Sequence, residues 1–166
     1  MSNLINDNLD ETRNNLIMEI TSLNDIQFNE SPGLNKWSIA QVCHHLILVE
    51  QATIKAIEWG LKEKDAKQER KNIHLLLDRT KKLNHPKIVD PGVDPFEIQT
   101  IIDSLNDSRN KLWTFLHTIE DKSILAEKSI KHPAFGELPL DQWIEQIYLH
   151  ELRHIEQIKE IKLLIT

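Results

Sequence analysis

Cysteine, glycine and tyrosine are scarce in this 166-residue chain, which carries one Cys, four Gly and one Tyr. A single cysteine, Cys43, excludes an internal disulfide and reads as a small core residue. Few glycines and aromatics, against abundant Leu, Ile, Glu, Lys and Asn, favour helix over sheet. The net charge of −6 is spread along the chain with no basic block, so nucleic acid is not an expected partner. No apolar run approaches the roughly 18 residues of a membrane span, and the N-terminal residues show no basic region followed by an apolar stretch. The expectation is a cytoplasmic protein with no membrane partner. Its length suits one domain over residues 1–166, large enough to bury a core unaided.

What is present is helical period. The first long segment runs from about Asn3 to Asp25, with Ile5, Leu9, Leu16, Ile20 and Leu23 on one stripe. Ser31-Pro32-Gly33 breaks the chain. A second segment starts at Ser38 and continues to about Lys64. Ser38 and Gln41 spell a capping box, with Trp37 and Val42 placed as a hydrophobic staple. Residues 65–93 are polar and mixed, with a short helix expected around Asn72 to Lys82 and turn signals at Asn84-His85-Pro86 and Asp90-Pro91-Gly92. The third segment opens at Asp94-Pro95-Phe96-Glu97, where Asp94 suits the N-cap. A loop containing His132-Pro133-Ala134-Phe135-Gly136 leads to a fourth segment from about Leu140 to Leu164. The pattern predicts an all-α four-helix bundle with a long connection between helices 2 and 3, and no internal sequence repeat is obvious.

His150 and His154 stand four residues apart in the fourth segment, so both imidazoles project from one helix face. Neutral imidazole is the commonest metal ligand, and such a pair can grip one ion if a third ligand joins it. His45 is the best candidate: it shares a face with Val42, Leu48, Val49, Ala52 and Ala56. His44 is turned by about 100° toward Gln51 and Lys55 and belongs at the bundle edge. Three imidazoles would leave a coordination position open, as in catalytic zinc sites. The competing reading is three packed, hydrogen-bonded core histidines without metal. His74, His85 and His117 lack partner spacing and read as surface or packing residues, whereas His132 can approach from its loop.

Residues 150–154 also spell His-Glu-x-x-His, the zinc-peptidase signature with Glu151 as base. Gln157 and Glu160 occupy positions where an extended peptidase motif needs glycine and a third histidine, so this reading is set aside. Glu151 is left either bordering the site or lying on a solvated face. Arg109, among apolar neighbours, pairs with a buried acid or holds an anionic substrate group.

The segment Trp37-Ser38-Ile39-Ala40-Gln41-Val42-Cys43-His44-His45-Leu46 resembles the corresponding stretch of the DinB/YfiT-like superfamily. His132-Pro133-Ala134-Phe135-Gly136, then Trp143, then His150-Glu151-Leu152-Arg153-His154 look like its closing segment. The resemblance implies a four-helix bundle in which His45, His150 and His154 hold a divalent metal, zinc or nickel foremost, often in a homodimer. It further implies a metal-dependent hydrolase acting on a small-molecule substrate. Two alternatives use the same site: a low-molecular-weight-thiol-dependent S-transferase or isomerase, and a non-catalytic, metal-stabilised stress-response or binding bundle. The family's helix often starts with Ser or Thr, where this chain has Pro139 and Asp141. Fold-level likeness leaves the substrate open.

Overall fold

Ser38 begins its helix by the reciprocal bonding its sequence predicts. Its hydroxyl accepts the Gln41 N–H at 3.2 Å, and Gln41 Oε1 accepts the Ser38 N–H at 3.1 Å. The computed structural model describes residues 3–63 and 67–165. Four long helices dominate: α1 (Asn3–Thr21), α3 (Ile39–Lys62), α4 (Ile98–His117) and α6 (Leu140–Leu164). Shorter elements are α2 (Asp25–Asn29), α5 (Ile124–Glu127) and the strands β1 (Ser129–His132) and β2 (Gly136–Pro139). The expected end of the second helix at Lys64 lies outside the described residues; α3 runs to Lys62 with Glu63 as its cap.

Two helix boundaries and two connecting segments differ from expectation. The first helix stops at Thr21 because Asn24 opens α2 with its own capping box to Gln27. The third helix starts at Ile98 rather than after Asp94. Its first free N–H is capped from another element, Asp25 Oδ1 accepting from Ile98 at 3.1 Å, while Asn29 Oδ1 accepts from Phe96 at 2.8 Å. The loop before the fourth helix is an antiparallel hairpin pairing Ser129 with Pro139 and His132 with Gly136, turned by Gly136 at φ +68°. The short helix expected from Asn72 to Lys82 is a single 3₁₀ turn, Ile73–Leu77, followed by another at Lys87–Val89.

Around the bundle, α1 packs on α6, α6 on α3 and α3 on α4, with a thinner α4–α1 contact closing the ring. The consecutive pairs α1–α3 and α4–α6 therefore stand across the diagonals, whereas α3 and α4 are neighbours. The long connection leaves α3, crosses α6 and returns over α3 before entering α4. Leu16, Ile20, Ile39, Val42, Cys43 and Leu105 fill one half of the core, and Leu9, Leu112, Leu116, Leu140 and Ile144 the other.

Between the halves lies a buried ion cluster joining the four long helices. Arg13 (α1) donates to Glu151 (α6) at 2.7 Å and Glu50 (α3) at 2.6 Å; Arg109 (α4) donates to Glu50 at 2.9 Å and Glu151 at 3.1 Å. Among the described residues, no helix is long and apolar enough to cross a membrane.

Candidate metal centre

His45 lies on α3 and His150 and His154 on α6, where the two helices run antiparallel along one seam. The inward phase expected for His45 holds: it is 2% exposed and shares a cavity wall with Val49, Ala52 and Ala56. Its Nε2 is 3.4 Å from Nε2 of His150, which is 3.0 Å from Nε2 of His154. One ring nitrogen from each residue fits within 4.8 Å of the others, so the trio can hold a metal ion.

Hydrogen bonds on the far side of two rings fix which nitrogen faces inward. His45 Nδ1 donates to the Val89 carbonyl at 2.8 Å, and His154 Nδ1 donates to Gln157 Oε1 at 2.7 Å. Both rings therefore turn an Nε2 lone pair toward His150. Burial, countered in part by the Val89 bond, pushes His45 down to about 4. Burial and the neighbouring His45 push His154 down to about 3. His150 is driven well below its ordinary value by burial, then by His154 and His45. All three are neutral at pH 7. Even with a proton on His150 Nε2, only one of its two short contacts becomes a hydrogen bond. The other leaves a facing Nε2 lone pair with no proton to accept, a mismatch that a shared cation resolves. The donor set fits a borderline divalent ion.

The trio opens onto a cavity of about 800 Å³. The long connection supplies one wall and is sewn to α6. Arg153 donates to the carbonyls of Leu76, Asp78 and Lys81 at 2.7–2.9 Å, and Gln142 bonds both the N–H and the carbonyl of Lys71. Further along the seam, Gln146 donates to Thr53 at 3.4 Å, and both line the cavity. His132 also reaches it, as its loop position allowed. Its ring packs on Trp143 at 4.6 Å, and its Nδ1 accepts the Ala134 N–H at 3.0 Å. Burial pushes it down to about 4, so it is neutral with its proton on Nε2.

Other expectations resolve differently. Glu151 neither borders the site nor meets solvent. Burial alone would raise its pKa, but Arg13 and Arg109 hold it below the usual carboxylate value, and both its oxygens are engaged. A peptidase base is thereby excluded at Glu151. Arg109 takes the buried-acid role. His44 accepts the Gly92 N–H at 2.9 Å and stacks on Phe96, anchoring the connection. Cys43 is fully buried, and burial pushes its thiol far up. His85 is an exposed packing residue, as its lack of partner spacing suggests, and what it packs on is the site: its ring lies 5.0 Å from that of His45 and 5.4 Å from Trp37, with Asp90 on its Nε2 at 2.8 Å. No spacing rule brings a turn histidine there. Gln157, by contrast, was readable as the i+3 neighbour of His154.

Fold and site together define a four-helix bundle protein with a three-histidine candidate metal centre on its α3–α6 seam. The sequence profile of the DinB superfamily matches residues 8–158, and the chain belongs to that family. It is 30% identical over 145 residues to YuaE of Bacillus subtilis strain 168, described as uncharacterized, covering 87% of this chain and 88% of that one. Two solved structures share the fold. TT2238, a four-helix bundle protein, superposes with a TM-score of 0.64 at 16% identity, over 95% of this chain and 98% of that one. YfiT from Bacillus subtilis, described as a probable metal-dependent hydrolase with an unusual four-helix bundle topology, gives 0.63 at 15% identity, over 97% and 87%.

Proposed function

We propose that His45, His150 and His154 hold one divalent metal ion, zinc or nickel by the chemistry of the donors, and that the protein is a metal-dependent hydrolase of a small molecule. The observation that carries this reading is the convergence of three neutral Nε2 atoms on the wall of a roomy cavity. A purely structural ion would be enclosed by protein donors, whereas this trio leaves space on the cavity side for a further ligand. YfiT, which shares the fold, is described as a probable metal-dependent hydrolase.

Such an ion, when bound, supplies Lewis acidity and brings a coordinated water's pKa toward neutrality. The chain's own residues do the rest. Val89 and Gln157 keep the His45 and His154 rings in the tautomer that presents Nε2. His132 offers a neutral Nε2–H as a donor to a substrate oxygen, its ring direction set by Ala134 and Trp143. Trp37, Val49, Ala52, Ala56 and Trp143 give the cavity an apolar body that sheds water from the bound substrate.

The deciding experiment is metal analysis of untagged protein beside His45→Ala and His150→Ala, followed by a hydrolysable-ester and amide screen. Near-stoichiometric metal in the native protein, lost in both variants together with any turnover, is the expected result. Metal-free native protein that takes up none on titration sinks the proposal, and turnover that survives His150→Ala sinks its catalytic half.

A further inference from the structure

We infer that the cavity beside the three imidazoles selects a small molecule that is negatively charged as well as partly apolar. This names the substrate class for the site proposed above, but the charge argument stands on the cavity walls alone. The chain carries 26 acidic against 20 basic residues. Even so, every charged side chain lining the cavity is a cation: Lys36, Arg79, Lys82, Lys131 and Arg153. They come from four separate stretches, the residues before α3, the long connection, strand β1 and helix α6. No single amphipathic face can account for that convergence.

One of the five, Arg79, is matched by a carboxylate, and the other nearby acids are engaged by His85 and Thr80. Glu160 pairs with Arg79, Asp90 with His85, and Asp78 accepts from Thr80. Arg153 places its guanidinium on three backbone carbonyls rather than on a carboxylate. Lys36, Lys82 and Lys131 meet no carboxylate among the described residues. Uncompensated cations around a low-dielectric cleft repel one another and focus a positive potential into it. An anionic occupant relieves that repulsion; a cationic one adds to it. The apolar walls behind the rim take the rest of the molecule.

The test uses a matched pair of fluorescent probes sharing one aryl body, 8-anilinonaphthalene-1-sulfonate and the uncharged N-phenyl-1-naphthylamine. Both are titrated into the full chain, metal-loaded and chelator-treated, as native protein, as the Lys82→Glu/Lys131→Glu double variant, and as Lys55→Glu. Lys55 is an exposed residue of α3 outside the cavity, so it controls for net charge. The sulfonate should bind native protein about tenfold or more tightly than the neutral amine, an advantage that shrinks as salt is raised. The double reversal should weaken the sulfonate by about tenfold and leave the amine within about twofold, with Lys55→Glu moving neither. Equal affinities in the native protein overturn the inference. So does an equal loss for both probes, or an effect of Lys55→Glu matching the double reversal. Metal content is measured on the same samples. Absent metal with intact charge discrimination would sink the hydrolase reading and leave this one standing.

Discussion

Arg13 and Arg109 each donate to the backbone carbonyl four residues before the other: Arg13 Nη1 to Leu105 and Arg109 Nη1 to Leu9. The exchange is reciprocal, and so are their acids, since each arginine bridges Glu50 and Glu151. Swapping α1 with α4 and α3 with α6 reproduces the cluster. Along the α3–α6 seam the same swap, carrying Glu50 onto Glu151, relates the His45–His154 contact to the Thr53–Gln146 hydrogen bond. The seam thus has one imidazole end and one amide–hydroxyl end, with His150 between them.

Breaking that cluster should unfold the protein before it disturbs the imidazoles. Glu151→Gln keeps the shape of the side chain but leaves buried guanidinium charge uncompensated, a change expected to cost roughly 3–5 kcal/mol. Urea denaturation should show the loss, while folded material still binds metal with native stoichiometry. A stability change under about 0.5 kcal/mol, the usual scatter of surface substitutions, would mean the cluster is not what holds the four helices together.

Gln157 lines the cavity and its Oε1 accepts from His154 Nδ1, so its effect should appear in metal affinity. Gln157→Leu frees the His154 ring to adopt the other tautomer and should weaken metal binding roughly 10–100-fold. Competition against a chromophoric chelator measures this. Metal-free stability should stay close to native, and Gln157→Glu, which retains an acceptor, should restore most of the affinity. If both variants bind like native protein, the bond to Gln157 does not govern ring orientation.

Acid should act on the metal-free protein in a defined window. The folded state holds His45 near 4 and His154 near 3, against an ordinary 6.5, so below 6.5 the unfolded chain binds more protons. Stability is therefore fully present above 6.5 and falls as pH drops toward about 4. The urea midpoint should track that fall, and a His45→Gln/His154→Gln variant should flatten it. In protein that stays folded, bound metal should leave only as pH passes below about 4, where protons begin to occupy the same Nε2 atoms. A midpoint that rises on acidification would contradict the neutral, buried state of these rings.

The helical periods in the sequence announced the bundle, and the phase of His45 together with the spacing of His150 and His154 announced their convergence. The residues that complete the site were hidden for physical reasons. Val89 contributes a backbone carbonyl, which any residue carries, and His85 reaches His45 only because the long connection folds back over α3. The hairpin was concealed within four-residue strands too short for their period to stand out. Glu151 misled by adjacency. One position after His150, it points about 100° away, into the ion cluster rather than the cavity.

Removal of the ion should loosen a specific part of the molecule. The trio joins α3 to α6, and the His45 ring also bonds Val89 of the long connection. Metal that binds only the folded state adds stability as RT ln(1 + [M]/Kd), about 2.7 kcal/mol at a hundredfold excess over Kd. At roughly 2–4 °C per kcal/mol for a domain of this size, chelation should lower Tm by about 5–10 °C. Hydrogen exchange should rise most in Ile73–Leu77 and Lys87–Val89, the turns that wall the cavity. His45→Ala should already sit at the lower Tm and respond little to chelator. If the native Tm ignores chelator although metal leaves, the ion contributes nothing to holding the seam, and the three imidazoles serve the cavity alone.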